Sequence, residues 1–228
     1  MLMLAQNSRL GCAGILFPRV KTGADIGANH GKLGLSLLQG GKADLMYLTD
    51  QSASALEAAR KNAYQAHLED RVRFIVTDGF KGLPDTIEAA AILGMGGKTI
   101  AHIIESAFKS DSVCIPETLI LSPNTEHRTV RHALYTNGFS ITQEQIAFDS
   151  GRYYEIIAAR FTGERVTPDE HLLSIGPCLM RDVSPLYRAY VEHKVRVYAQ
   201  SHSAEGQKWL RWYSEELQRV KMHGKNSL

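Results

Sequence analysis

Three aspartates in the first eighty residues, Asp25, Asp50 and Asp78, each stand at or just beyond the end of a short apolar run. Asp25 heads Asp25-Ile26-Gly27-Ala28-Asn29-His30-Gly31, a D-x-G-x-x-x-G loop. Glycine lets a backbone turn sharply and lets a ligand approach where a Cβ would collide. The dinucleotide fingerprint G-x-G-x-x-G carries glycine at the place where this loop carries an acid. A carboxylate there repels a pyrophosphate and attracts a cation. S-adenosylmethionine (SAM) carries an ammonium and a sulfonium and no phosphate, so the loop favours SAM over NAD. Asp25, Gly27, Asn29, His30 and Gly31 are its cofactor candidates; a tight turn in some other α/β protein is the alternative.

The next acids extend the pattern. Asp50 ends the run LMYLTD at 45 to 50, about twenty residues past the loop, the spacing at which an acid meets a ribose hydroxyl. A carboxylate accepts two hydrogen bonds and suits a cis-diol. Asp50 is also placed to cap a helix that opens at Gln51-Ser52-Ala53 and runs through Asn62, and both roles are compatible. Gln51 joins the cofactor candidates. Asp78 and Gly79 follow VRFIV at 72 to 76, and Asp78 is either an acceptor for an adenine amino group or a turn former. A fourth run, AAAIL at 89 to 93, ends in Gly94-Met95-Gly96-Gly97, and a fifth, TLIL at 118 to 121, ends in Ser122-Pro123-Asn124. Glycines at a strand end leave backbone open to a ligand, which adds Gly94, Met95 and Gly96.

The elements that must hold these residues follow from the order of runs. Each of the five apolar runs precedes a helical or polar stretch, which places the acids and glycines at the carboxyl ends of parallel strands, where open α/β sheets bind ligands. Phe139 to Ala147 and Tyr153 to Phe161 are joined by five residues, too few for a parallel crossover, so they form a hairpin. Five βα units closed by an antiparallel hairpin predict an α/β fold of the class I SAM-dependent methyltransferase type, a Rossmann-like, mostly parallel sheet. A first helix is expected over residues 5 to 15.

The rest of the chain bounds the partners. With 228 residues and 44% hydrophobic content, it suits one α/β domain plus a small appendage. The expected division is 1–162 for cofactor binding and 163–228 for a helical unit. Tyr187, Tyr190, Val191, Val195 and Tyr198 recur at helical spacing, as do Trp209, Trp212, Tyr213, Leu217 and Val220 after a polar break at 201 to 207. Two amphipathic helices bury such a stripe as core more often than they display it. The net charge is only +2, and the excess lies in residues 163 to 228, with 10 basic and 8 acidic side chains. Arg188, Lys194, Arg196, Lys208 and Arg211 are the candidate phosphate contacts. Cys12, Cys114 and Cys178 read as reduced thiols in a cytoplasmic protein. No run approaches a transmembrane length, MLMLAQNSR is a poor signal peptide, and the nine histidines show no metal-ligand spacing.

ADIGANHGKL at 24 to 33, ILGMGGKTI at 92 to 100, LILSPNTEHRTVRHAL at 119 to 134, NGFSI at 137 to 141, GRYYEIIAA at 151 to 159 and SIGPCLM at 174 to 180 together resemble the TrmK family. These are bacterial tRNA methyltransferases acting on N1 of the adenine at position 22. The likeness runs from about Arg9 to the C-terminus and implies a SAM-binding catalytic domain, tRNA as partner and a helical domain that helps hold it. The chain departs from the family's usual Ser-Asp-His or Thr-Asp-His with Ala28-Asn29-His30. It also has Asp50 for the usual Glu and Ser122-Pro123-Asn124 for Gln-Pro-Asn.

Methyl transfer needs nucleophile, methyl and sulfur held in line. Adenine N1 attacks without prior deprotonation, and an acceptor near the amino group eases the cationic product. Asn124, Asn29 and Tyr154 are the expected catalytic contacts, Asn124 first, with Tyr153 or Tyr154 facing the site by strand alternation. Arg152 is expected to touch phosphate and Glu155 to orient Arg152 or Asn124. A methyltransferase with another acceptor and a non-catalytic SAM-fold RNA-binding protein are the competing readings. Oligomeric state is open, with a monomer favoured.

Overall fold

The structure, a computed structural model, describes residues 5–109 and 115–223; the start at 1–4 and Cys114 lie outside them. The apolar runs become β1 (Val20–Ile26), β2 (Ala43–Asp50), β3 (Val72–Val76), β4 (Ala89–Leu93) and β5 (Thr118–Ser122), and the hairpin becomes β6 (Phe139–Asp149) and β7 (Arg152–Phe161). They form one seven-stranded sheet in the order β3-β2-β1-β4-β5-β7-β6. The first five strands are parallel, and β7 lies antiparallel between β5 and β6. Strand order reverses between β1 and β4, which opens a crevice at their carboxyl ends. The hairpin strands extend to Asp149 and Arg152, so the connection is two residues, Ser150 and Gly151, both at positive φ (51° and 77°). That is the turn whose twist matches paired strands.

Central strand β4 is buried on both faces, which is why AAAIL reads as a continuous apolar run. Helices α1 (Arg9–Leu16), α2 (Lys32–Gln39) and α3 (Ala53–Gln65) cover one face around Phe17, Leu35, Leu38, Met46, Leu48 and Leu56. Helices α4 (Gly97–Phe108) and α5 (His127–Thr136) cover the other around Ile26, Ile92, Ile100, Ile104 and Leu134. The first helix starts later than its apolar spacing suggests because Ser8 caps it, its Oγ accepting from Gly11 N at 3.1 Å.

The tail carries one helix more than its periodicity predicts. Beside α7 (Pro185–Ala199) and α8 (Ala204–His223) there is α6 (Glu170–Ile175), whose six residues are too few for a period to register. Helix α8 begins inside the expected polar break, where Ser203 Oγ accepts from Gly206 N at 3.0 Å. The aromatic stripe is core: Tyr187, Tyr190 and Tyr213 are buried with Val191 and Val220 against Ile146 of β6. Among the described residues no helix is long and apolar enough to cross a membrane.

Candidate functional site

The crevice holds a cavity of about 500 Å³ lined by the ends of β1 to β4. Ten of the expected cofactor residues line it: Asp25, Gly27, Asn29, His30, Asp50, Gln51, Asp78, Gly79, Gly94 and Met95. Gly31 and Gly96 do not; each is the N-cap of a helix, α2 and α4 respectively. Gly27 and Asn29 take positive φ (70° and 49°), a conformation that glycine and asparagine tolerate best. At Gly27 a Cβ would sit 2.1 Å from Met95 Cε, the mobile end of a flexible side chain, so it is the φ of 70° that favours glycine here.

Each carboxylate has a defined state. Asp25 is buried, and its Oδ2 accepts from Gly34 N in the first turns of α2 at 3.0 Å. Burial pushes its pKa up to about 6; the Gly34 hydrogen bond opposes the rise and the Asp50 charge adds to it. Asp50 Oδ2 accepts from Asn29 N at 3.0 Å and Oδ1 from Ser52 N at 2.9 Å. Asp50 is therefore not the cap of α3; Ser52 is, accepting from Ala55 N. Gln51 Nε2 donates to Asp78 Oδ1 at 2.8 Å, closing the rim between β2 and β3. The side chain of Asn29 is exposed, and the amide adds no second negative charge beside Asp50.

The wall beyond Met95 is built from two interlocked loops. Asn124 N donates to Met95 O at 2.8 Å and Gly97 N to Thr125 O at 3.1 Å. At Gly97 a Cβ would meet the Glu126 and Thr125 carbonyl oxygens at 2.5 and 2.6 Å, so the approach requires glycine. Asn124, expected to present its amide to a base, spends it on this joint. Its Nδ2 donates to Gly94 O at 2.6 Å and its Oδ1 accepts from Arg9 Nη1 at 2.9 Å, leaving one N–H and one lone pair. Tyr154 lies under the Arg9 guanidinium, 4.5 Å from ring centroid to Cζ, and lines no cavity described here. Tyr153, on the opposite face of β7, packs against Tyr190 and His193 of the tail.

Arg9 is the residue that no local motif announces. It lines the crevice cavity, donates from Nε to Ser122 Oγ at 3.0 Å and from Nη2 to Ser122 O, and reaches Asn124. The one available signal is a cation in the first turn of a helix, where the macrodipole disfavours it. Two further expectations change. Glu155 orients neither Arg152 nor Asn124; it accepts from Arg131 Nη2 at 2.5 Å and Tyr190 OH at 2.5 Å, with Lys194 Nζ at 3.8 Å. Lys194 is thus a half-buried ion-pair member and not an exposed contact, whereas Arg196 and Arg211 are exposed. Arg188 pairs with Glu192 and Lys208 with Glu170.

Among the described residues no cluster of three His, Cys, Asp or Glu side chains is arranged to hold a metal ion. A tRNA (adenine(22)-N(1))-methyltransferase from Bacillus subtilis (strain 168) is 25% identical over 210 residues, 88% of this chain and 87% of that protein. A Mycoplasma pneumoniae protein is 30% identical over 172 residues, 73% of this chain and 76% of its own length. Among solved structures, a Streptococcus pneumoniae protein in complex with S-adenosyl-L-methionine superposes with a TM-score of 0.83 at 23% identity, covering 94% of this chain and all (100%) of that one. M. capricolum TrmK with S-adenosyl-homocysteine gives 0.76 at 20% identity, covering 96% and 98%. The family model described as tRNA (adenine(22)-N(1))-methyltransferase matches residues 23–221, and the chain belongs to this TrmK family.

Proposed function

We propose that the cavity at the ends of β1 to β4 binds SAM and that the wall formed by Met95, Asn124 and Arg9 receives the target adenine. As a TrmK-family member the chain is a SAM-dependent tRNA (adenine-N1)-methyltransferase acting at adenine 22. The observation that carries the site assignment is the set of three carboxylates, Asp25, Asp50 and Asp78, around one cavity. That set of anionic acceptors fits a cationic nucleoside without phosphates and would repel a dinucleotide. SAM supplies the electrophilic methyl and departs as a neutral thioether.

The chain's own residues then have separate tasks. Asp25 faces the ammonium end, with Arg9 as the cation suited to the neighbouring carboxylate. Asp50 takes the ribose diol, exchanging its contact with Asn29 N, and the Gln51–Asp78 pair meets the adenine edge. Asn124 and Arg9 fix the loop that presents Met95, which holds the base and the methyl in line. Asn29, on the exposed rim, offers an amide acceptor to the amino group of the methylated, cationic base. Residues 163–228 form the unit that contacts tRNA, through charges such as Arg196 and Arg211.

The test is transfer of labelled methyl from SAM to unmodified tRNA, followed by nucleoside analysis. N1-methyladenosine, lost in Asn124→Ala, is the expected result. Methyl transfer that persists undiminished in Asn124→Ala removes that loop from the reaction centre, and a different methylated nucleoside removes the adenine N1 assignment.

A further inference from the structure

Asn124, which bonds to Gly94 O and Met95 O of the crevice, lines a second cavity of about 650 Å³. It is lined by the first turns of α5, Arg128 among them, and by the tail residues Lys194, Tyr198 and Trp209. Its size is within the ~300–1,000 Å³ span of small-molecule sites. Nothing in the cofactor chemistry above uses it.

Its lining carries donors without acceptors. Arg128 Nε and Trp209 Nε1 are both buried and have no hydrogen-bond partner. A buried N–H left unpaired is costly, and such exceptions call for an explanation. The two side chains belong together, since the Arg128 guanidinium stands 5.7 Å from the Trp209 ring centroid. Lys194 adds a second cation, 3.8 Å from Glu155 and over the Tyr190 and Tyr213 rings. Aromatic faces beside cations are the parts that bind a splayed-out nucleotide, base on ring and phosphate on cation.

We propose that this cavity takes a tRNA nucleotide flanking the target adenine, stacked against Trp209 with its phosphate on Arg128 and Lys194. The proposal rests on the methyl-transfer reading: the target base must reach the cofactor beside Met95, and Asn124, bonded to Met95 O, lines this second cavity, so the adjoining nucleotide comes within its reach. Glu205 and Glu170 hold the phosphate's place in the free protein. Glu205 Oε1 lies 3.2 Å from Arg128 Nη1 and Glu170 Oε1 lies 3.7 Å from Arg128 Nη2, with side chains 63% and 56% exposed. Exposed ion pairs of this kind contribute little, so a phosphate displaces them readily.

The test is binding of unmodified tRNA to the full chain at several salt concentrations, with SAM affinity by calorimetry as the control. Arg128→Gln should weaken tRNA binding and reduce the salt slope by about one. Trp209→Ala should weaken it at least about fivefold, while Trp209→Phe, which keeps a stacking ring and the packing, should retain most of the affinity. Glu205→Gln should tighten binding, a gain that a merely structural role would not produce. SAM affinity should stay at its wild-type value throughout. Unchanged tRNA affinity and salt slope in Arg128→Gln and Trp209→Ala overturn the proposal, and continued methyl transfer by the wild type then leaves the reading of the reaction intact. A wild type that binds tRNA but transfers no methyl overturns that reading instead, and the same affinity series still decides the cavity.

Discussion

Replacing Asp25 by asparagine should make the empty protein more stable and a poorer binder of SAM. The carboxyl pKa is raised from 3.8 to about 6 by burial. The gap is about two units at 1.36 kcal/mol each, so ionised Asp25 costs the free protein about 3 kcal/mol. The sign follows from proton counts. Between pH 3.8 and about 6 the folded chain holds a proton that the unfolded chain has lost, so the Asp25 contribution to stability falls as pH rises and levels off above 6. Asparagine never ionises, and its Oδ1 can still accept from Gly34 N. The variant should therefore melt about 5–10 °C above wild type at pH 8, with the difference shrinking steadily below pH 6. On the proposed assignment the same change removes the charge that meets the cofactor's ammonium, which should weaken SAM by about 10- to 100-fold. Melting curves from pH 5 to 8 and calorimetry at pH 7.5 measure both. A variant no more stable than wild type at pH 8, or a difference that does not shrink at pH 5, would refute the claim that Asp25 is held ionised at a cost.

Arg9→Ala should weaken SAM at least about tenfold by calorimetry, and Arg9→Lys should recover little, because an ammonium cannot span Ser122 and Asn124 as a planar fork does. Arg131→Gln leaves Glu144 and Glu155 buried without their shared cation; breaking such a network costs about 3–5 kcal/mol, visible as a fall in the denaturation midpoint at constant slope. His127 has its pKa lowered from 6.5 to about 4, by burial first, with the raising effect of Glu155 outweighed by burial together with Lys194, Arg131 and Arg9. The unfolded chain takes up that proton first, so the His127 contribution to stability falls as pH falls from 6.5 towards 4, opposing that of Asp25, and His127→Gln should remove it, leaving chemical-denaturation stability rising more steeply with acid over that range.

The strands and the acids at their ends are legible in the sequence because parallel strands buried on both faces are written as continuous apolar runs, and their ends fall where polarity returns. Asp25, Asp50 and Asp78 could thus be brought to one crevice from spacing and sheet handedness. Arg9 could not: its partners Ser122 and Asn124 are 113 and 115 residues away, and no local period records a contact of that range. Helix α6 was hidden by its shortness. Glu155 sits on a strand where alternation predicts an inward side chain, yet its partners come from α5 and α7, and their identity depends on how the tail packs.

That packing makes the tail and the sheet share one buried set of charges. Arg131 on α5 donates from Nε to Glu144 of β6 at 2.8 Å and from Nη1 to Leu173 O of α6 at 3.0 Å. Through Glu155 of β7 it also reaches the Tyr190 hydroxyl of α7. A fully buried guanidinium cannot release one partner without leaving an uncompensated charge, so these elements must keep their mutual positions together. The helix that carries Arg131 begins three residues after Asn124, which lines the second cavity and bonds to Gly94 and Met95 of the first. On the proposed reading, contacts that tRNA makes with the tail are tied, through α5, to the loop whose Asn124 bonds to Met95 O. A tail hung on exposed ion pairs alone would give no such connection, since exposed pairs break at little cost.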